Sequence, residues 1–362
     1  MKSGTLTFHR TTNYGAMFQT YALQKVLLLK GYDNEIIDYR SDVLEHRYKK
    51  KPLMFYAKPK QLAKIILQNA YIRDNRKNFD EFAKKYIRIS PQPYFPDTIK
   101  NADDRYDQVI VGSDQVWNGE CMGWDPVYML DFVTPGKRNA YAASFGVTKV
   151  DLKREEWYRS FFDEYSHVSL REESGKALFN QLSNIVATVV LDPTLLLTQD
   201  NWRDLANEVS NQMEGSYILL YVLKETKSII HMANELSNKW KMPVVYINDR
   251  LLKVRGIDNR FYTSPCEWLN LFMNASFVIT NSFHGTAFSI NFNKPFAVEL
   301  LPPPSKVNSR ITDLLALCGC EDRIIKKDCE VLPKMNFDKI NVIINKKREE
   351  SMAFIDSIFE GI

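Results

Sequence analysis

Residues 4–39, GTLTFHRTTNYGAMFQTYALQKVLLLKGYDNEIIDY, combine a short strand, a polar loop, an apolar helix and a second strand. The first strand runs into the polar loop at 10–15, and the helix predicted from Ala16 ends at Gly31, a residue that commonly terminates helices. The second strand, at 35–39, completes a βαβ unit. Because such units build parallel sheets covered by helices, this segment predicts an α/β fold.

The same alternation continues along the chain. Further strands are predicted at 109–111, 139–143, 167–170, 186–191, 217–222, 244–247 and 277–280, with helices around 229–240, 266–274 and 340–360. A length of 362 residues favours two cores, and the pattern restarts after 191–194. We therefore predict two Rossmann-like α/β domains, at 1–198 and 199–338, with a terminal helix over 339–362 that packs back on the first domain.

Composition excludes several classes of protein. A hydrophobic content of 45% and a charged content of 25% are ordinary for a globular protein, and no apolar stretch is long enough to span a membrane. The N-terminus lacks the regions of a signal peptide, so we expect a cytoplasmic location. Five scattered cysteines without C-x-x-C pairs predict neither a disulfide framework nor a metal site. A net charge of +4 does not indicate nucleic-acid binding.

Residues 46–88 are distinctly more basic than the rest of the chain. One interpretation is a solvated helical surface. The other is a face that is attracted to anionic lipid headgroups or to a diphosphate-linked substrate. The second interpretation predicts peripheral association with the inner face of the membrane.

A polar segment follows the strand predicted at 277–280. Asn281 and Ser282 lead to a helix predicted to begin near Gly285, and His284 lies at this junction. In open α/β sheets ligands bind beyond the carboxyl ends of strands, and helix N-termini offer free N–H groups to anions. His284 therefore suits a general acid or base. It is equally compatible with a residue that caps the helix or bonds a backbone carbonyl.

Two further loops carry polar residues at strand ends. Asn13, Tyr14 and Gly15 lie where the opening loop meets its helix, a position that binds a phosphate or sugar in many α/β proteins, although ordinary N-capping also explains such a loop. Ser113 and Asp114 directly follow the strand at 109–111. Asp114 suits a base for a sugar hydroxyl, and a turn with a helix cap is the structural alternative.

Three cations complete the candidate residues. Arg171 ends an apolar strand, where it either pairs with Glu172 or Glu173 or receives a carboxylate or phosphate. Lys306 and Arg310 follow a proline run and fit either ligand contacts or a solvent-facing loop and helix start. Cations, a histidine and small polar residues at strand ends of both halves predict an interdomain cleft that binds an anionic substrate.

An ordered series of motifs strongly resembles polysaccharide pyruvyl transferase family proteins. The matching blocks are Leu6–His9, Asn13–Ala16, Gly112–Asn118, Ala142–Gly146, Ser169–Glu172, Leu191–Thr194, Ser282–Gly285 and Asn308–Arg310. They occur in the family's order over most of the chain. Family members with established activity often carry Arg-Leu-His where this chain has Ser282-Phe283-His284.

The resemblance implies a two-domain fold similar to the GT-B glycosyltransferases, with the active site in the cleft. It implies transfer of pyruvate from phosphoenolpyruvate to two hydroxyls of a sugar or lipid-linked saccharide, with a cyclic ketal and free phosphate as products. His284 and Arg171 then fall on the family's catalytic motifs and Lys306 on its downstream lysine, with no metal and no cofactor beyond the donor. The alternatives are a glycosyltransferase with a nucleotide-sugar donor and a non-catalytic accessory protein of polysaccharide assembly.

Overall fold

Two parallel β-sheets, each flanked by helices, organise the molecule. The structure is a computed structural model that describes residues 1–41, 43, 59–209, 213–248, 253–302, 308–325 and 334–360. Within these ranges the chain is α/β, as the alternating pattern predicts, and no helix combines the length and apolar character needed to cross a bilayer.

The first sheet has six strands in the order β2-β1-β3-β4-β5-β6, all parallel. Its strands are β1 (Lys2–Leu6), β2 (Asp33–Ile36), β3 (Gln108–Val111), β4 (Arg138–Ala143), β5 (His167–Leu170) and β6 (Thr188–Val189). The central strands are buried on both faces because helices cover both sides, which explains their continuous apolar runs.

The second sheet has five parallel strands in the order β11-β10-β7-β8-β9. Its strands are β7 (Ile218–Tyr221), β8 (Val244–Ile247), β9 (Asp258–Arg260), β10 (Phe277–Thr280) and β11 (Phe296–Val298). The sequence pattern predicts three of these five. It misses the two edge strands, which have only three residues each and, in β9, a wholly polar composition.

Helices connect the strands and join the two sheets. They are α1 (Tyr14–Leu29), α2 (Pro59–Tyr86), α3 (Gly119–Met122), α4 (Leu152–Phe162), α5 (Glu173–Phe179), α6 (Pro193–Leu196), α7 (Gln199–Ala206), α8 (Lys227–Trp240), α9 (Pro265–Asn274), α10 (Phe283–Asn291), α11 (Ser309–Cys318) and α12 (Phe337–Ser357). Three 3-10 turns, at Ile99–Arg105, Pro126–Met129 and Glu321–Arg323, complete the described elements.

Helix α1 lies between the two halves, which is why nearly all of its first three turns are buried. The ring of Phe18 lies 5.6 Å from that of Trp202, 5.1 Å from that of Trp268 and 5.3 Å from that of Phe288. These three partners follow the first sheet in sequence. One hydrophobic cluster therefore holds residues of both halves together.

The terminal helix α12 contacts the first sheet's helices and strand ends. Lys30 forms an ion pair of 2.7 Å with Asp356, and the rings of Tyr32 and Phe359 stack with their centroids 3.9 Å apart. The backbone N–H of Leu191 donates to the Ser351 hydroxyl. The domain limits of 1–198, 199–338 and 339–362 stay a prediction.

Candidate active site

The carboxyl ends of strands from both sheets meet at one place, and most of the predicted site residues follow them. Ser113 and Asp114 follow β3, Arg171 follows β5, and His284 follows β10. Within the first sheet, the carboxyl ends of the parallel strands share one edge, which brings Asp114 and Arg171 together, and His284 faces them from the second sheet. A cavity of about 310 Å³ opens beside this edge, and Arg171 is among the residues that line it.

Arg171 is completely enclosed and surrounded by carboxylates. Its Nη1 donates to Oδ2 of Asp192 at 2.9 Å, and Asp114 and Glu172 each lie 3.7 Å from another nitrogen of the guanidinium. Burial opposes a charged guanidinium, yet Asp192 and the two other carboxylates raise the pKa of Arg171. The pairing alternative thus holds for Glu172 rather than Glu173, and the principal partner is Asp192, which the sequence pattern did not single out.

Asp192 is the carboxylate on which this cluster converges. Its Oδ2 accepts hydrogen bonds from Arg171 and from the Ser113 hydroxyl at 3.0 Å, while its Oδ1 accepts from the backbone N–H and hydroxyl of Thr194. Burial alone would raise the pKa of Asp192, but His284 and Arg171 hold it well below its usual range. Asp192 is therefore an ionised acceptor that fixes its donors in place.

His284 lies in the first turn of α10, which begins at Phe283 rather than near Gly285. Ser282 caps this helix, because its hydroxyl accepts from the backbone N–H of Gly285 at 3.4 Å. The capping role considered for His284 thus belongs to Ser282. The Nε2 of His284 lies 3.7 Å from Oδ2 of Asp192 and has no hydrogen-bond partner among the described residues.

The imidazole of His284 packs directly on the backbone of Gly15 in α1. A methyl group placed on Gly15 would overlap the ring at Nδ1, Cε1 and Cγ. Only glycine allows this approach, since any side chain at position 15 would occupy the space of the ring. The two predicted residues, from opposite halves of the molecule, therefore belong to one arrangement.

Arg310 lies in the first turn of α11 and reaches the same cluster from the second half. Only 7% of the residue is exposed. Its guanidinium carbon lies 6.0 Å from the ring of Phe283, whose other neighbour is the Arg171 guanidinium at 4.7 Å. Burial, reinforced by the charge of Arg171, lowers the pKa of Arg310. Within the described part of the chain, no carboxylate lies within ion-pair distance of it.

Glu172 and Asp114 complete the charged groups of the cluster. Glu172 is buried and accepts a hydrogen bond of 2.7 Å from the Ser144 hydroxyl. Burial raises the pKa of Glu172 in spite of the neighbouring Arg171. Asp114 has a φ of 80°, a conformation that is uncommon for any residue other than glycine and is concentrated at functional positions.

Three of the predicted binding residues make hydrogen bonds to other parts of the protein. Asn13 caps α1 by accepting from the backbone N–H of Ala16, and the Tyr14 hydroxyl donates to the Thr263 carbonyl at 2.6 Å. Asn281 accepts from the Leu223 backbone and donates to the next carbonyl, which ties two strand-end loops together. Lys306 lies outside the described residues. Among the described residues, no group of three or more histidine, cysteine, aspartate or glutamate side chains is arranged to hold a metal ion.

Sequence reasoning missed the central carboxylate. Asp192 stands in the segment Leu191-Asp192-Pro193-Thr194, directly after the strand run that ends the first sheet. An aspartate directly after a strand is a signal of the same kind as Asp114. The segment 191–194 indicates the restart of the pattern and one block of the family resemblance, but neither observation assigns a role to Asp192.

Comparisons with known proteins indicate a family for this chain. The family model described as polysaccharide pyruvyl transferase matches residues 13–298. A comparison with curated proteins gives no match.

The similar solved structures have very low sequence identity to this chain. UDP-GlcNAc 2-epimerase from Methanocaldococcus jannaschii, in complex with UDP-GlcNAc and UDP, gives a TM-score of 0.51 at 14% identity, covering 99% of both chains. The Neisseria meningitidis epimerase bound to UDP-GlcNAc gives 0.48 at 10% identity, covering 99% of this chain and 94% of that chain. MurG from Acinetobacter baumannii gives 0.41 at 9% identity, covering 99% of both. The first likeness identifies the fold alone, and it confirms the GT-B type expected from the sequence.

Proposed function

This chain belongs to the polysaccharide pyruvyl transferase family, and on that premise we propose that it transfers pyruvate from phosphoenolpyruvate to a polysaccharide precursor. Two hydroxyls of one sugar in a surface or capsular polysaccharide receive the pyruvate as a cyclic ketal, and phosphate is released. His284 and Arg171 are the proposed catalytic residues, and Arg310 is the principal donor-binding residue.

The buried Arg310 is the observation that carries this proposal. An enclosed guanidinium is costly unless a negative charge accompanies it, and the described residues supply no ion pair to Arg310. Phosphoenolpyruvate carries a carboxylate and a phosphate, either of which matches the planar guanidinium. The donor itself thus provides the missing charge.

Other unused donors point in the same direction. The Nε and Nη2 atoms of Arg171 have no hydrogen-bond partner in the described part of the structure, and neither has Nε2 of His284. Each of these nitrogens can donate to an anion or to a polar substrate group. Their convergence with Arg310 supports a binding site for a small, doubly charged donor.

In the proposed reaction, His284 alone carries protons between the methylene carbon of the donor and the first sugar hydroxyl. His284 as imidazolium gives a proton to the methylene carbon of phosphoenolpyruvate, and the first sugar hydroxyl adds to the adjacent carbon and returns a proton to His284. The second hydroxyl then displaces phosphate, whose oxygen takes the remaining proton. Asp192 holds the imidazole between these transfers and stabilises its charged form.

The size of the cavity favours a small donor. Its volume of about 310 Å³ lies at the lower end of ligand sites, which occupy roughly 300–1,000 Å³. Phosphoenolpyruvate is much smaller than a nucleotide sugar, which needs additional subsites for its base and ribose.

Calorimetric titration of the purified protein with phosphoenolpyruvate and with a nucleotide sugar tests the donor. We expect only phosphoenolpyruvate to bind, and Arg310→Gln to weaken it by about 10- to 100-fold, as the loss of a charge-assisted hydrogen bond predicts. Arg323→Gln is the matched control, because Arg323 is also a buried arginine of the second half but pairs with Asp322. That variant should bind phosphoenolpyruvate normally.

Turnover, measured as phosphate release with candidate sugar acceptors, tests the proton carrier. His284→Asn should reduce turnover by about 10²–10⁴-fold while phosphoenolpyruvate still binds. Binding of the nucleotide sugar without binding of phosphoenolpyruvate would contradict the proposed reaction and favour a glycosyltransferase. Unchanged turnover in His284→Asn would exclude the proposed mechanism.

A further inference from the structure

Glu172 is a buried carboxyl group that takes no part in the reaction steps described above. It lies between Arg171 and helix α5, only 1% of it is exposed, and it lines the same cavity as Arg310. Glutamate is almost never fully buried unless it is paired. The contacts of its two carboxyl oxygens therefore bear on the chemistry of the donor site.

The two oxygens of Glu172 differ in what they contact. Oε1 accepts the hydrogen bond of 2.7 Å from the Ser144 hydroxyl. Oε2 has no hydrogen-bond partner among the described residues, since Nε of Arg171 lies 3.7 Å away, too far for a hydrogen bond. Glu172 is the N-cap residue of α5, yet its side chain makes no capping bond. One oxygen is thus held by the protein, and the other has unused hydrogen-bonding capacity at the wall of the cavity.

The charged cluster around Glu172 contains more carboxylates than arginines. Its members are Arg171, Arg310, Asp114, Asp192 and Glu172. His284 adds a positive charge only when it is protonated. With the three carboxylates ionised, a doubly charged donor would enter a cluster that has no excess of positive charge. Protonation of one carboxylate removes a negative charge and favours binding of the donor.

Other charged side chains that line the cavity do not reverse this balance. Asp313 and Glu173 add negative charge. Lys347 also lines the cavity, but it pairs with Glu350 at 2.9 Å. A proton on one of the cluster's carboxylates therefore remains the simplest way to accommodate the donor.

Glu172 is the carboxylate best placed to take up this proton. Asp192 accepts from Arg171, Ser113 and Thr194, and its pKa lies well below the usual range. The side chain of Asp114 is 15% exposed, so water stabilises its charge. Burial raises the pKa of Glu172, and the negative charge of a bound donor shifts it in the same direction.

We infer that Glu172 takes up a proton when phosphoenolpyruvate binds and delivers it to the departing phosphate. The neutral acid donates from Oε2 to the oxygen that joins phosphorus to the central carbon of the donor. This inference rests on the proposed function and adds a second proton carrier, because His284 serves the methylene carbon and the first hydroxyl. Glu172 is thereby a catalytic residue that touches the donor.

The step balances with Glu172 as a relay. After the first hydroxyl has added, the central carbon still carries the phosphate. The bond between this carbon and the bridging oxygen breaks with its electron pair on the oxygen, which takes the proton of Glu172. The second hydroxyl bonds to the same carbon and gives its proton to Oε2, which restores the acid. One proton thus moves from the hydroxyl to the phosphate, and nothing is oxidised or reduced.

Calorimetric titration with phosphoenolpyruvate in buffers of different ionisation enthalpy measures the proton uptake. The buffer supplies the proton that the protein takes up, so the observed heat changes with the buffer. The measurement is made near about pH 8, because a phosphate monoester completes its ionisation near about pH 6. The wild-type protein should take up about one proton for each donor bound, and its affinity should fall by up to about tenfold per pH unit as the pH rises.

Glu172→Gln identifies the group that takes up the proton. The amide keeps the size of the side chain and still donates a hydrogen bond, so the variant should bind phosphoenolpyruvate within about threefold of the wild type but without this proton. Uptake by His284 would be equal in both proteins, so their difference belongs to Glu172. Phosphate release with sugar acceptors should fall by about 10²–10⁴-fold.

Glu173→Gln is the matched control. Glu173 is the adjacent glutamate and lines the same cavity, but it is exposed. This variant should keep both the proton uptake and the phosphate release of the wild type. Equal changes in the two variants would indicate a general effect of charge and overturn the assignment to Glu172.

Two further outcomes would overturn the inference. The first is binding of phosphoenolpyruvate to the wild-type protein without proton uptake, which needs no variant to be observed. The second is equal uptake, or equal phosphate release, in the wild type and Glu172→Gln. Failure of the wild-type protein to bind phosphoenolpyruvate at all would instead refute the proposed function, and the same titration distinguishes the two cases.

Discussion

His284 is held by groups that come from the other half of the molecule. Gly15 provides a flat backbone surface for the imidazole, and Asp192 faces its Nε2 from 3.7 Å. Asp192 is itself fixed by Arg171 and Ser113. The position of one side chain therefore depends on residues that are far apart in sequence, which makes their substitution a test of the arrangement.

Gly15→Ala should displace the imidazole of His284. Alanine is more favourable than glycine in a helix by about 1 kcal/mol. If the space beside position 15 were empty, the substitution would therefore stabilise the protein. Because the new methyl overlaps the ring, we expect instead a loss of about 1–3 kcal/mol and a strong loss of turnover. Urea unfolding and phosphate release measure the two effects.

The double variant Gly15→Ala, His284→Ala separates this overlap from a general effect on α1. Removal of the ring leaves room for the methyl group, so Gly15→Ala should cost nothing in the His284→Ala background. An equal loss in both backgrounds would show that the ring does not lie against Gly15.

Asp192→Asn should make the free energy of unfolding change less with pH in the acid range. At about pH 7 the variant should lose about 3–5 kcal/mol, because the buried Arg171 loses its closest carboxylate. The folded-state pKa of Asp192 lies below its unfolded value, so its contribution is complete above about pH 4 and declines as the pH falls below that. The stability gap between the two proteins should therefore narrow in urea unfolding below about pH 4.

Asp313→Asn is a control for which the stability difference should change with pH in the opposite direction. Burial raises the pKa of Asp313, so lowering the pH relieves an unfavourable charge in the native protein. The native protein should gain stability relative to this variant as the pH falls. A gap for Asp192→Asn that stays constant or widens in acid would contradict the pairing described for the cluster.

At the scale of elements, strand ends and helix starts determine where the chemistry lies. Strands β3 and β5 of the first sheet and β10 of the second are each followed by a polar site residue, and helices α1 and α11 carry Gly15 and Arg310 in their first turns. Parallel strands of one sheet end at one edge, so the loops that follow them lie close together. The terminal helix α12 supports this framework from outside.

Phe359→Ala tests the support that the end of α12 provides. Phe359 is buried and stacks on Tyr32, so its truncation should cost about 3 kcal/mol in urea unfolding. Val342→Ala, within α12 but with 70% of the residue exposed, should change stability by less than about 0.5 kcal/mol. Similar effects of the two substitutions would mean that Phe359, just beyond α12, does not anchor the C-terminal segment.

At the scale of the whole molecule, the two halves share a hydrophobic cluster and polar contacts. The Tyr14 hydroxyl donates to the Thr263 carbonyl, and Lys85 pairs with Glu208.

Lys85 belongs to the basic segment 46–88, so this pair neutralises part of the charge of that segment. Most of its described basic side chains lie beside carboxylates, as Arg73 beside Asp74, Arg76 beside Asp80 and Lys77 beside Glu81. Any attraction to anionic lipid must then come mainly from the other basic residues of the segment.

Replacement of the three lysines at 49–51 by serine tests the predicted membrane association. Binding to vesicles that contain phosphatidylglycerol should weaken by about 1 kcal/mol, or roughly fivefold, for each lysine and should decrease with salt. The same replacement of Arg73, Arg76 and Lys77 should have little effect because these side chains are paired. Co-sedimentation measures both, and absence of binding by the native protein at low salt would refute the association.

The sequence by itself determined the α/β class, nine of the eleven described strands and the family. It could do so because apolar periodicity, strand-end polar residues and motif order are local properties of the chain. It also identified His284, Gly15, Arg171 and Arg310 separately. Only the tertiary structure decided that His284 lies against Gly15, that Asp192 lies against both His284 and Arg171, and that Tyr14 bonds the Thr263 carbonyl. The approach of His284 to Gly15 and the bond of Tyr14 to Thr263 join residues more than two hundred positions apart, which no local pattern records.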